Sequence, residues 1–272
     1  MGGKGVTRMI IDVHTHIFPD SIAANAVPKL AAEAGIREAL DGRLSSLLGS
    51  MQTTGIDVSW VQPVATRPQQ VDAINQWLEE IRSERLTAFG AFHPGYADLP
   101  GLIRNLSQRG FPGIKIHPEY HAITPDDPQL FPMYQAIIGE GRVILFHAGE
   151  DIGIPTIHST PRQFADLNDQ WPDLTMILAH MGGFRQWREV RDGLVGRNLF
   201  LDTSYVFGHL PDEEFVEMVR KHGCDRILFG TDSPWTDQQQ ELEHLQQLPF
   251  TAEELDQMCG LNAWNLLQRI TA

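Results

Sequence analysis

The chain has 272 residues, 42% of them hydrophobic, so it can bury a large core and is not globally disordered. Asp and Glu number 35 against 21 Lys and Arg, and the resulting formal charge of -14 makes nucleic acid and membrane surfaces poor partners. Two cysteines without CxxC spacing, Cys224 and Cys259, exclude a disulfide scaffold and fit a reducing cytoplasm.

The opening Met1-Gly2-Gly3-Lys4-Gly5 lacks the apolar stretch of a signal peptide, and no apolar run approaches the roughly 20 residues that span a bilayer. Both features place the protein in the cytoplasm. Residues 9–17 read as a first strand. Residues 20–48 are longer than a simple barrel connection needs and predict an extra pair of helices that cap or shape a pocket. Strand 58–65 then precedes helix 70–83, strand 86–94 precedes helix 99–109, and strand 113–118 precedes helix 130–140. Strands 142–149, 174–182 and 198–205 precede helices 160–170, 184–194 and 211–222. Strand 226–235 and helix 238–247 follow, and 252–269 predicts two short helices on the outside. Several strands are near-continuous apolar runs, which suits strands buried on both faces of a parallel sheet. Pro211 followed by Asp212, Glu213 and Glu214 is a good helix start, with acids on the positive end of the dipole. Eightfold alternation without a linker or repeat predicts one domain over 1–272: a (β/α)8 TIM barrel with extra helices after strand 1 and at the C-terminus.

The strongest local signal is Asp12-Val13-His14-Thr15-His16, at the end of the first strand. Side chains alternate along a strand, so His14 and His16 share a side. If Ile11, Val13 and Ile17 face the helices, both imidazoles face the barrel interior, where they can chelate one divalent ion. Alone, the pair serves equally as hydrogen-bonded polar residues at a strand end. His147, His180 and Asp232 each end a further strand. Burying such groups is costly unless they share a purpose, and in a barrel all strand C-termini converge on one mouth. Mixed imidazole and carboxylate ligands suit Zn, Fe, Co or Mn.

These stretches, together with Gly113-Ile114-Lys115-Ile116-His117-Pro118, Phe146-His147-Ala148-Gly149, Leu178-Ala179-His180-Met181-Gly182-Gly183 and Phe229-Gly230-Thr231-Asp232-Ser233-Pro234, resemble the amidohydrolase superfamily. The closest match is its amidohydrolase-related group, which includes aminocarboxymuconate semialdehyde decarboxylase. Asn262-Ala263-Trp264-Asn265-Leu266-Leu267 resembles that group's C-terminal helix, and the likeness runs in order over nearly the whole chain. The resemblance implies one divalent metal, zinc first, held by His14, His16, His147 and Asp232, with His180 beside it as electrophile or proton donor. Two-metal relatives would use a carboxylated Lys115 and make His180 a ligand. Otherwise Lys115 is a buried ion pair, with Asp12 as a partner, or binds substrate, as His117 can. His93 has no assigned role.

Other residues read as structural. Trp60, Trp77, Trp171, Trp187 and Trp264 are packing anchors. His121, His158, His209, His222 and His244 face solvent, Glu150 and Asp151 lie in a solvated loop, and Gly182-Gly183 makes a tight turn.

The leading expectation is hydrolysis of an amide, ester or lactone of a small molecule by a metal-activated water, with Asp232 as proton acceptor and His180 polarising the carbonyl. The second is decarboxylation: CO2 leaves, an acid protonates the carbon, and Lys115, Arg162, Arg185 or Arg188 clamps the substrate carboxylate. A PHP-type phosphoesterase and a non-catalytic metal-binding scaffold fit less well. A homo-oligomer is compatible with the sequence.

Overall fold

The computed structural model describes residues 9–271; residues 1–5, on which the leader reading rests, lie outside them. Eight parallel strands follow one another around a barrel. They are β1 (Ile11–Thr15), β2 (Val58–Val61), β3 (Leu86–Ala88, resumed at Gly90–Ala91), β4 (Gly113–Ile116), β5 (Val143–Phe146), β6 (Thr175–Leu178), β7 (Phe200–Asp202) and β8 (Ile227–Leu228). At Phe89 the ladder of β3 is carried by a bond from Phe89 N to Val61 O at 3.0 Å. The ring closes between β8 and β1: Val13 N donates to Phe229 O at 2.9 Å and Asp232 N to His14 O at 2.8 Å. The fold is the expected α/β (β/α)8 barrel.

The helices are α1 (Asp20–Ala34), α2 (Leu44–Thr54), α3 (Val71–Ile81), α4 (Leu99–Gln108), α5 (Pro118–His121), α6 (Phe131–Gly139), α7 (Pro161–Gln170), α8 (Trp187–Gly193), α9 (Asp212–His222), α10 (Gln238–Gln247), α11 (Ala252–Asp256) and α12 (Asn262–Thr271). The extra pair after β1 is present, and α2 runs on to Thr54 rather than stopping at 48. The helix expected from 184 starts only at Trp187, because Gly182 and Arg185 hold φ of 84° and 59°, which a helix cannot accommodate. A π turn over Gln257–Leu261 joins α11 to α12, so the chain end is a continuous helical run rather than two separate helices. The single turn α5 has no hydrophobic period to announce it. It starts because Pro118 follows His117, whose side chain caps it. No described helix is long and apolar enough to cross a membrane.

Alternation divides the core. Along β5, Val143 and Leu145 join Trp60, Phe89 and Ile177 in an inner cluster, while Phe146 turns to Phe164 of α7 with ring centroids 5.3 Å apart. Residue 147 therefore continues the inward phase. On β1 the simple alternation fails: Ile11 and Val13 belong to the inner cluster too, while Asp12 turns to Gln238 of α10. A register irregularity between Asp12 and Thr15 absorbs the conflict and re-aims His14 and His16 into the cavity. Ala263, Leu266 and Ile270 pack on the inner cluster with Met9 and Val58, at the strand starts. Trp264 lies on the other face of α12 and is 39% exposed, so it is no packing anchor.

His121 and His222 are buried rather than solvent-facing. His222 ends α9, donates from Nε2 to Leu199 O at 2.9 Å and accepts from Gly196 N at 3.1 Å. Burial pushes this imidazole down to about 4. Below the ordinary pKa of about 6.5 the unfolded chain binds a proton that the folded chain refuses, so stability falls as pH drops from there towards the folded value. Gln can keep both hydrogen bonds but cannot titrate. Between pH 7 and 5 the wild type should lose about 2 kcal/mol more than His222→Gln, measured by urea unfolding; equal losses would contradict this assignment.

Candidate metal centre

At the C-terminal mouth of the barrel is a cavity of about 660 Å³. His14, His16 and Asp232 meet at its base, with one ligand atom from each all within 4.8 Å of one another. Asp232 occupies the turn after β8 with φ of 70°, a left-handed backbone that non-glycine residues adopt only where the surroundings enforce it. Gly230 lets that turn approach: a Cβ there would stand 3.0 Å from the Cβ of His14.

The partners of the two imidazoles assign their tautomers. His14 Nδ1 lies 2.8 Å from Asp202 Oδ2, so the proton is on Nδ1. His16 Nδ1 lies 2.6 Å from Gln62 O, with the same consequence. Both Nε2 lone pairs then face Asp232 Oδ1, at 3.5 Å from His14 and 3.1 Å from His16. Three electron-pair donors converge, and the Lys115 ammonium faces one of them, 3.1 Å from His14 Nε2. A divalent cation removes the repulsion, and this donor set fits one. Burial first, and the charge of Lys115 second, push His14 down to about 4, which keeps it neutral and available as a ligand. Burial alone would raise the Asp232 carboxyl, but any proton taken up on the surrounding imidazoles, His14 first, outweighs burial and lowers it.

His147 is not part of this trio. His180 stands beside it, with φ of 56° after β6, and its Nε2 is 3.0 Å from His147 Nδ1. His180 Nδ1 gives its proton to Ser204 O at 2.8 Å, so Nε2 accepts from His147. The remaining atom, His147 Nε2, is buried without a hydrogen-bond partner. His147 instead groups with His117 and Asp151. The rings of His117 and His147 stack with centroids 4.0 Å apart, and His117 Nε2 is 3.3 Å from Asp151 Oδ2. Of the four expected ligands, the structure brings three together and places the fourth one imidazole away.

Lys115 is fully buried and does not pair with Asp12. Its Nζ is 3.1 Å from His14 Nε2, within the field of Asp202, Asp232 and Glu119. Burial lowers it to about 8. Asp12 points elsewhere and takes bonds from Thr231 Oγ1 at 2.6 Å and Gln238 Nε2 at 2.7 Å, locking β1 to the turn that carries Asp232. Asp151 is not in a solvated loop, since its side chain is 16% exposed and lines the cavity. Arg162, Arg185 and Arg188 do not line it.

Four further residues escaped the sequence reading. Asp202 ends β7 as Asp232 follows β8, so the same strand-end signal was present for it. Ser204 and Gln62 act through backbone and side-chain bonds that no motif marks. Glu119 is completely buried: Oε1 accepts from Ser159 Oγ at 2.9 Å and from the backbone N of His158 and Ser159, while Oε2 has no partner. Burial raises it to about 7.

The fold and the donor set together define a metal-dependent barrel enzyme. The chain belongs to the Amidohydrolase family, whose model matches residues 11–269. None of the curated proteins matches the sequence significantly. Among solved structures, an uncharacterised TIM-barrel protein from Bordetella bronchiseptica is similar over 97% of this chain and 100% of its own, with 18% identity and a TM-score of 0.77. A 2,6-dihydroxybenzoate decarboxylase from Rhizobium is 18% identical, with 96% and 99% covered and a TM-score of 0.70. A dihydroxybenzoic acid decarboxylase from a Polaromonas species, solved with manganese and 2-nitroresorcinol, is 17% identical, with 97% and 98% covered and a TM-score of 0.70.

The Asp202–His14 bond generates a prediction. A carboxylate behind a metal-binding imidazole fixes its tautomer and raises its basicity. Asp202→Asn should weaken divalent-metal affinity about 10–100-fold, read by competition with a chromogenic chelator. Unchanged affinity in a folded variant would show that His14 is not a ligand.

Proposed function

We propose that the chain is a single-domain metal-dependent decarboxylase of a small organic acid. The observation that carries this reading is Lys115, the only lysine or arginine among the described residues lining the cavity, placed with its ammonium 3.1 Å from His14 Nε2 and within the field of Asp232. A substrate carboxylate held there has a cationic partner in a water-poor site, next to the donor set. The decarboxylases among the structural neighbours support the same choice.

In this reading His14, His16 and Asp232 would hold the metal, with His147 as the further imidazole beside them. A divalent ion bound there, zinc or manganese, would supply the positive charge that draws electron density from the carbon bearing the carboxylate. Lys115 orients the carboxylate. The C–C bond to CO2 breaks, its electron pair stays on carbon, and a proton replaces it. Asp151, raised by burial and facing the cavity, supplies that proton and is restored from solvent at the mouth. His117 positions Asp151 through their 3.3 Å contact. His180 orients His147 through their 3.0 Å contact.

Hydrolysis of an ester, amide or lactone is the second reading, favoured by the family's description. It asks Asp232, one of the three converging donors, to accept a proton from the attacking water, and leaves the buried Lys115 ammonium without a substrate charge to meet.

One experiment separates the two. Metal-loaded enzyme is incubated with carboxyl-¹³C benzoates and aliphatic acids, and with matched esters in H₂¹⁸O. The expected result is metal-dependent ¹³CO2, with kcat/KM falling about 100-fold or more in Lys115→Met, the cost of removing one partner of a buried charge pair. Ester or lactone cleavage with ¹⁸O incorporation and no CO2 from any acid would overturn the decarboxylase reading.

A further inference from the structure

Two helices line the cavity with apolar side chains. Helix α1 buries one stripe, Ala23, Val27 and Ala31, against the body of the fold. A second stripe at the same four-residue spacing, Ile22, Ala26 and Leu30, lines the cavity. Helix α3 repeats the pattern. Val71, Asn75 and Leu78 are buried, while Ala73, Ile74 and Trp77 line the cavity. Ile22 is 50% exposed, one of four large apolar side chains left exposed among the described residues.

Charge in the cavity is as uneven as its polarity. Lys115 lies at the base, whereas Glu33, Glu150 and Asp151 also line the cavity. A second carboxylate on the substrate would find no further lysine or arginine among the described residues lining the cavity, and would meet Glu33 and Glu150 instead. The volume of about 660 Å³ is well within the roughly 300–1,000 Å³ that encloses drug-sized ligands, and exceeds what a single carboxylated ring requires.

We infer that the substrate is a monocarboxylic acid with a bulky apolar tail, which lies between the Ile22–Leu30 stripe of α1 and the Ile74–Trp77 face of α3. The head group rests on the decarboxylase reading; the tail rests on the two helices alone. Selectivity follows from burial. Each methylene removed from water between these walls strengthens binding about fourfold, until the cavity is filled.

The test is equilibrium binding of 4-alkylbenzoates, from methyl to butyl, to the metal-loaded full chain, by calorimetry and by quenching of tryptophan emission. The dianion 4-carboxybenzoate is the control. Affinity should climb about fourfold per methylene, and 4-carboxybenzoate should bind at least about tenfold more weakly than 4-methylbenzoate. In Ile22→Asp/Leu30→Asp the dependence on chain length should flatten. Trp77→Ala, which adds no charge, provides a second variant and should reduce the same slope. Affinity independent of chain length, a slope that survives in both variants, or preference for the dianion would overturn the inference. The slope is read without turnover, so a clear gradient with no CO2 from any acid would sink the decarboxylase reading and leave the apolar tail site standing.

Discussion

The chemistry at the mouth of the barrel depends on where a few imidazole protons lie. His14 and His16 both carry theirs on Nδ1, because Asp202 and the carbonyl of Gln62 accept them. That leaves two lone pairs and the Asp232 carboxylate converging on one point. In a buried site such a convergence repels itself, and a cation bound among the three relieves the repulsion. A hydrogen-bond network holds the three in register. Asp12 ties β1 to Thr231 and, through Gln238, to α10, so His14 and the Asp232 turn cannot separate without breaking buried bonds.

The frame also holds strained backbone. His180 and Asp232 leave their strands through left-handed conformations, as does Tyr205 after β7. Each costs on the order of 1–3 kcal/mol and persists only where neighbours over-determine it. Here the neighbours are Ser204, which fixes the His180 ring, and His14 O, which takes the Asp232 amide proton. Gly149 solves a related problem. A Cβ there would meet Phe184 N at 2.2 Å, so only glycine lets the loop after β5 pass against the loop after β6. His147 and His180, carried at the starts of those loops, reach contact for that reason.

The barrel was legible because its strands read as apolar runs, with turn chemistry between them. Boundaries slipped where backbone conformation rather than hydrophobicity ends an element, as at Arg185 before α8. The trio His14, His16 and Asp232 was legible because each stands at a strand exit. The expectation that Ile11 and Val13 turn outward failed, since a local register irregularity reverses alternation without changing composition. Asp202 and Glu119 were missed for different reasons. Asp202 carried a strand-end signal that went unused, whereas Glu119 is defined by bonds to Ser159 and His158, forty residues away, which no local pattern encodes. Lys115 was found, but its neighbour was not: it faces His14 rather than Asp12, because Asp12 is on the other phase of β1.

The net charge of -14 raises the question of how an acidic protein accepts an acidic substrate. Charges near the base of the cavity matter more than the distant surface, which salt screens over about 8–10 Å. Asp202 and Asp232 are held ionised there, and Lys115 offsets only one of them. The base without a metal therefore carries a net negative charge and repels a carboxylate. A divalent cation in the trio reverses the sign and leaves a net positive charge beside Lys115. Substrate binding is then linked to metal binding through this local sum: each strengthens the other, and neither requires the fold to move. The same arithmetic limits the substrate. One carboxylate neutralises the site, so a second gains nothing there, and further affinity has to come from the apolar walls above.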